Sequence, residues 1–236
     1  METVSFAGVK VDNLSLLEAI QRVGKYLQES RPHLIVTPNP EIIVTAQKDH
    51  ELREIINNAD LRVPDGISMV VVSRILGRPL KERVSGIDLM LKIIEKYGDK
   101  FKIFLLGSAP GIADEAADKL VQKYPALKIV GTMHGFFGDD LEALQKIENC
   151  QPDILFVGLG AGRQEKWLNH HLKNLNLPVA MVIGGSLDVI SDRKKRAPFW
   201  TQKMGVEWLY RLFTEPQRWK RQLALPKFLW LTFRQR

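Results

Sequence analysis

At 236 residues, with 45% hydrophobic and 26% charged residues, the chain can bury a full core as one large domain or as a domain with an appendage, and it has the balance of a folded globular protein. Cys150 is the single cysteine, which excludes an intrachain disulfide and a multi-thiolate zinc site. The net charge of +7 is unevenly placed: 193–236 holds 12 Lys and Arg against two acids, Glu207 and Glu215, for +10, and leaves 1–192 at −3. Four of the five Trp, at 200, 208, 219 and 230, also fall in that basic stretch. The opening Met1-Glu2-Thr3-Val4 has no basic region leading an apolar run. No apolar run reaches the roughly 20 residues of a membrane-spanning helix, and with one thiol and no leader the expected compartment is the cytosol.

Val4-Ser5-Phe6 and Val9-Lys10-Val11 alternate around Gly8, the pattern of a small hairpin. Ser15-Leu16-Leu17-Glu18 is a capping box that predicts a helix over 15–29. An apolar run ending at Thr37 predicts a buried strand, with helical segments over 41–47 and 51–58. A second strand ends at Pro64 and leads into 66–76, apolar enough to predict a well-buried helix. Ser85-Gly86-Ile87-Asp88 predicts a capped helix to about residue 97. Strands over 102–106, 128–130, 154–157 and 179–183 then alternate with helices over 113–123, 140–149 and 164–172. This alternation predicts an α/β fold: a Rossmann-like, mostly parallel sheet with helices on both faces. To it are added a small N-terminal hairpin and a helical C-terminal appendage. The composition breaks after Asp192, so 1–192 reads as the α/β core and 193–236 as the appendage, with a helical stretch over 217–225 that Pro226 ends.

Two of the strands stop at Pro-punctuated turns, Thr37-Pro38-Asn39-Pro40-Glu41 and Pro64-Asp65-Gly66. As neighbours in one sheet they would bring Thr37, Asn39 and Asp65 to its carboxyl edge, where open α/β sheets place ligands. An ordinary reading stands beside this one. Asn39-Pro40 is a good N-cap followed by Pro at N1, and Pro-Asp-Gly is a common turn. Three further turns are glycine-rich: Leu106-Gly107-Ser108-Ala109-Pro110-Gly111, Gly158-Leu159-Gly160-Ala161-Gly162 and Gly184-Gly185-Ser186. Such turns let backbone N–H groups approach a diphosphate at a helix start. None is a Walker motif or a full dinucleotide fingerprint, and each alone is equally a packing turn. Together, opening on one edge, they point to nucleotide binding through Gly107, Ser108, Gly158, Gly160 and Gly185. Arg83, in the connection that follows the Asp65 turn, either counters a phosphate or is a solvated surface arginine.

No metal site is expected. His170 and His171 are adjacent and leave a helix in different directions, while His33, His50 and His134 are scattered. No Gly-x-Ser-x-Gly elbow is present, and Cys150 has no obvious base nearby. The basic stretch suits nucleic acid, a partner helix or a membrane surface. The last fits best, because Trp208, Leu209, Leu212 and Phe213 share a helical face, Trp219 and Leu223 are four apart, and Arg211, Arg218 and Arg221 lie among them. Nucleic acid is not expected, since no binding motif accompanies the charge.

Taken in order, Thr37-Pro38-Asn39-Pro40-Glu41, Pro64-Asp65-Gly66, Glu82-Arg83-Val84-Ser85-Gly86-Ile87-Asp88, the turns at 106–111 and 158–165, Arg196-Ala197-Pro198, Glu207-Trp208-Leu209-Tyr210-Arg211 and Glu215-Pro216-Gln217-Arg218 resemble the WecG/TagA/CpsF glycosyltransferases over essentially the whole chain. The resemblance implies transfer of N-acetylmannosamine from a UDP-ManNAc donor to a GlcNAc-diphospho-undecaprenol acceptor, in wall teichoic acid linkage-unit synthesis. It implies inversion of configuration, with neither metal nor cofactor. It further implies Asp65 as general base, Thr37, Asn39, Arg83 and Gln164 as substrate-site residues, and Arg211, Arg218 and Arg221 as contacts to the lipid diphosphate at an anionic membrane surface. The enzyme would then be cytoplasmic, peripheral on the inner face of the cell membrane. One departure is that the usual Pro-Lys before Gln-Glu is Gly162-Arg163 here. Relatives use ManNAc, its uronic acid or glucose, and no residue of this chain decides among them. A nucleotide-binding oxidoreductase and a non-enzymatic membrane or nucleic-acid adaptor stay open as rival classes. So does a homo-oligomer, since exposed aromatics on the appendage favour self-association without lipid.

Overall fold

The structure, a computed structural model, describes residues 2–195, Thr201 and 224–234. The first two strands, β1 (Thr3–Phe6) and β2 (Val9–Asp12), form an antiparallel hairpin. Its two turn residues, Ala7 and Gly8, have φ of 49° and 79°, the left-handed pair that matches the twist of a two-residue hairpin. Six further strands make one sheet: β3 (His33–Val36), β4 (Leu61–Arg62), β5 (Ile103–Gly107), β6 (Ile129–Met133), β7 (Ile154–Gly158) and β8 (Val179–Val182). Their order is β4-β3-β8-β7-β5-β6 and every pairing is parallel. Every loop that follows a strand therefore opens on the same edge.

Helices cover both faces, and the period of the strands decides which residues meet them. Leu34, Val36, Phe104, Leu106, Leu155, Val157, Ala180 and Val182 point to one side. There they pack against the hairpin and against α2 (Pro40–Thr45), α3 (His50–Asn58), α4 (Ile67–Ile75), α7 (Asp140–Cys150) and α8 (Arg163–His171). Ile35, Ile103, Leu105, Ile154, Phe156, Val179 and Met181 point to the other. That side carries α1 (Leu16–Tyr26), α5 (Gly86–Tyr97), α6 (Ile112–Lys123) and the short α9 (Ser186–Ile190). Neighbouring strands β5 and β7 thus send their helices to opposite faces, α6 to one and α8 to the other. Such a divergence leaves a crevice at the carboxyl ends of the two strands.

Three expectations are corrected. The 66–76 helix forms as α4, but it is not wholly buried: Val71 and Ile75 are 50% and 55% exposed, because they lie four apart on the side turned away from the sheet. The expected stop at Pro226 does not occur. A last helix, α10 (Ala224–Arg234), runs straight through it, since a proline in the first turn lacks only an N–H that has no intrahelical partner there. The rest of the helical stretch expected over 217–225 lies outside the described residues. Lastly, Ser85 precedes α5 but makes no side-chain cap; the acceptor comes from elsewhere in the chain, as described below.

The far end of the basic stretch is joined to the body. Phe228 of α10 is fully buried, its ring 5.7 Å from that of Phe6 in the hairpin, and α10 packs on α2. Its other side carries Lys227, Trp230, Phe233 and Arg234, all exposed, with the Arg234 guanidinium 5.0 Å from the centre of the Trp230 ring.

Candidate active site

Strand β4 is only two residues long and lies at the edge of the sheet beside β3. The chain continues from it through Val63, whose N–H donates to Val36 O, and then reaches Asp65, whose N–H donates to Pro38 O at 3.0 Å. The turns after β3 and β4 are therefore zipped together. Asn39 caps α2, its Oδ1 accepting from Ile42 N–H at 3.0 Å with Pro40 at the first helical position. The ordinary reading of Asn39-Pro40 is realised, and it fixes the path of the turn that presents Thr37.

The Asp65 side chain reaches the start of α5. Oδ2 accepts from Gly86 N–H at 3.3 Å, and Arg83 Nη2 stands 3.8 Å from Oδ1. The carboxylate takes the place of the missing Ser85 cap and lies at the positive end of a 12-residue helix dipole. Gly86 is the meeting point: a Cβ there would stand 3.2 Å from Thr37 Cγ2 and 3.5 Å from Asp65 Oδ2. Thr37, Asp65 and Arg83 thus converge, with Thr37 buried and the other two partly exposed. The 77–85 connection that carries Arg83 is pinned at both ends. Lys81 N–H donates to Asn13 Oδ1, Lys81 Nζ pairs with Glu18, Glu82 accepts from Leu16 N–H, and Val84 N–H donates to Pro64 O.

The three glycine turns stack against one another along the same edge. A Cβ on Gly107 would lie 2.4 Å from Gly158 O, one on Gly158 would lie 2.5 Å from Gly184 O, and one on Gly135 would lie 3.3 Å from Gly107 Cα. Only glycine permits backbones to approach this closely, so Gly107 and Gly158 have a packing reason to be glycine whatever binds above them. Gly160 is different: its φ is +89° and nothing lies within 4 Å of its Cβ position. Ser108, itself at φ 59°, donates to Asp188 Oδ2 at 3.2 Å and its carbonyl accepts from Gly135 N–H at 2.8 Å. Gly185 is exposed and opens α9. Gln164 is buried at the start of α8, with Oε1 accepting from Gly184 N–H at 3.1 Å and Nε2 donating to Glu165.

The Asp65 cluster and the glycine turns share one face of the molecule. Strand β8 is two places from β4, or about 10 Å at ordinary strand spacing, and β5 is four places away, roughly 19 Å. Arg211, Arg218 and Arg221 lie outside the described residues, while the start of the basic stretch is tied to the body, where Arg193 pairs with Glu115; just before it, Asp192 pairs with Lys119. The histidines find local partners, His171 with Asp140 and His33 stacked on Tyr26. Among the described residues no group of His, Cys, Asp and Glu has the make-up of a metal site, and no described helix is long and apolar enough to cross a membrane.

Sequence reasoning did not single out Phe136, 72% exposed in the loop after β6 and next to Gly135, nor Glu165 and Asp188. Glu165 does carry a signal: it stands three residues after Gly162, the spacing of a reciprocal cap, and its Oε2 accepts from Gly162 N–H at 2.7 Å.

Known proteins resemble this chain over most of its length. The Glycosyl transferase WecG/TagA/CpsF family matches residues 4–236. A Bacillus spizizenii protein named N-acetylglucosaminyldiphosphoundecaprenol N-acetyl-beta-D-mannosaminyltransferase is 36% identical over 205 residues, covering 86% of this chain and 80% of its own. Proteins of the same name from Bacillus subtilis and Staphylococcus aureus are 33% and 34% identical, covering 97% and 96% of this chain and 90% and 91% of theirs. With a family match that starts at residue 4 and runs to the last residue, and relatives above 30% identity over most of both chains, this chain belongs to the WecG/TagA/CpsF family of glycosyltransferases.

Proposed function

We propose that the chain transfers N-acetylmannosamine from UDP-ManNAc to GlcNAc-diphospho-undecaprenol; the sugar and the acceptor are those in the names of its relatives. The observation that carries this reading is the convergence of Thr37, Asp65 and Arg83 at Gly86, on the edge that also bears the glycine turns. Of Thr37, Asp65 and Arg83, Asp65 brings the carboxylate, and an inverting transfer needs one base. The acceptor hydroxyl gives its proton to Asp65 as its oxygen bonds to the anomeric carbon. The bond from that carbon to the diphosphate oxygen breaks, and UDP leaves with the electron pair. A single displacement of this kind turns an α-linked donor into the β-linked product of the relatives' names.

The glycine turns supply N–H groups for the departing diphosphate and Arg83 supplies a cation, both aimed at charge that develops as the bond breaks. The exposed Phe136 ring, beside the Gly107–Ser108 turn, offers a flat apolar face to the nucleobase. Thr37 and Asn39 border the sugar side. The basic stretch brings the chain to an anionic membrane, where Arg211, Arg218 and Arg221 meet the lipid diphosphate. The outward Lys227, Trp230, Phe233 and Arg234 of α10 have the mix of aromatic and basic groups that suits an interface.

The test is product analysis with a panel of UDP-sugars and a GlcNAc-diphospholipid acceptor. UDP release and a disaccharide-lipid from UDP-ManNAc are expected. Turnover of UDP-glucose or the uronic acid instead would reassign the donor, and stabilisation against heat by NAD but not UDP would overturn the transferase reading.

A further inference from the structure

The stacked glycine turns are braced by two side chains that no step above uses. Gln164 and Glu165 open α8 and are 2% and 0% exposed. Glu165 Oε2 accepts from Gly162 N–H at 2.7 Å and Oε1 from Gln164 Nε2 at 2.9 Å. Gln164 Oε1 accepts in turn from Gly184 N–H at 3.1 Å. Both Glu165 oxygens accept, so the carboxylate faces the NH2 end of the Gln164 amide and leaves the carbonyl end for Gly184. Gly184 sits at φ +52°, and its carbonyl oxygen is the atom that a Cβ on Gly158 would strike. Glu165 therefore acts at one remove on Gly184, the residue against which the Gly158 turn is stacked.

This arrangement is not the cheapest for folding. Burial pushes the Glu165 carboxyl above its ordinary range, and the groups it meets are neutral donors: Gly162 N–H, the Gln164 amide and its own N–H. A buried charge without a cation is a poor way to cap a helix. It is a good way to hold an amide in one of its two orientations, because the flipped amide would set a carbonyl against the carboxylate and NH2 against the Gly184 N–H.

We propose that Glu165 is a positioning residue: by orienting the Gln164 amide it holds the Gly184 turn in place beside β3, the strand that leads into Thr37. The inference rests on the transferase reading for its effect on rate and on geometry alone for its effect on Gly184.

The experiment compares Glu165→Gln with the double exchange Gln164→Glu, Glu165→Gln, which restores every donor and acceptor in the chain of bonds with the polarity swapped. The readouts are kcat with UDP-ManNAc and hydrogen exchange at the Gly184 amide. Glu165→Gln is expected to lower kcat about 10- to 100-fold and to lose Gly184 protection. The double exchange is expected to recover the protection. A single variant with wild-type kcat and protection would overturn the proposal. So would a double exchange in which Gly184 stays as unprotected as in the single variant. Should Glu165→Gln not fold, Glu165→Asp serves: it withdraws the carboxylate by one methylene and is expected to lose the same protection, and full protection there would count against the proposal. A wild-type chain that makes no product defeats the transferase reading, while Gly184 exchange still decides this one.

Discussion

Asp65 caps the helix that Ser85 leaves open, with Gly86 N–H donating to its Oδ2 at 3.3 Å. The residue proposed as base and the first turn of α5 are therefore one unit, and Thr37 touches the same glycine. Gly86→Ala tests this directly. Alanine favours the helix by about 0.5–1 kcal/mol, which offsets crowding by a Cβ 3.2 Å from Thr37 Cγ2. Urea denaturation is expected to show a stability change below about 1 kcal/mol, while transfer falls about 10-fold or more through displaced Thr37 and Asp65. An unchanged rate would separate those two side chains from the reacting atoms.

The glycine turns differ in what they tolerate. At Gly107 a new Cβ meets a backbone oxygen at 2.4 Å, and backbone cannot swing aside; at Gly160 it meets open space and only the positive φ is penalised. Gly160→Ala should cost about 1–2 kcal/mol. Gly107→Ala should cost about 1–3 kcal/mol more and lose the thermal shift produced by UDP. Equal stabilities for the two variants would mean that the turns are not stacked as described.

Phe136 is exposed in the loop after β6, so Phe136→Ala should leave folding stability within about 0.5 kcal/mol. UDP binding measured by titration calorimetry should weaken by about 1–3 kcal/mol, the usual worth of stacking a base on an aromatic ring. An unaltered affinity would place the base elsewhere on the edge.

Much of this was legible because the strands and their turns obey local rules. The period-2 split of Phe104 and Leu106 from Ile103 and Leu105 follows from chain geometry, as do the Ser15 capping box and the Asn39-Pro40 cap. What escaped depends on contacts distant in sequence. Ser85 reads as a cap until Asp65 arrives from another turn and takes the role. Pro226 reads as a stop because its place in the first turn of α10 depends on where the helix begins. Val71 and Ile75 read as core because an apolar helix does not announce which side meets the sheet. Glu165 is not singled out in the sequence, since its burial comes from the packing of the β7 and β8 turns around it.

The Arg83 connection should be acid-sensitive. A hydrogen bond from Lys81, joined by the Ser15 backbone N–H of the capping box, lowers the Glu18 carboxyl from 4.5 to about 2. A carboxyl whose folded pKa is depressed adds stability above its unfolded value and loses it as pH falls through the folded one. The melting temperature of wild type should therefore exceed that of Glu18→Gln above about pH 4.5, and the gap should close as pH approaches about 2. A gap that persists unchanged at the acid end would show that the Glu18–Lys81 pair is not what holds the connection.

The most direct test of the whole account is transfer of labelled sugar from UDP-ManNAc to a GlcNAc-diphospholipid by Asp65→Asn. The substitution keeps an oxygen to accept from Gly86 N–H and removes the basicity, together with the charge that faces Arg83. A fall of at least about 100-fold in rate, with UDP binding intact, is the predicted result. Transfer at close to the wild-type rate would contradict the assignment of Asp65 as base and, with it, the site built around Gly86.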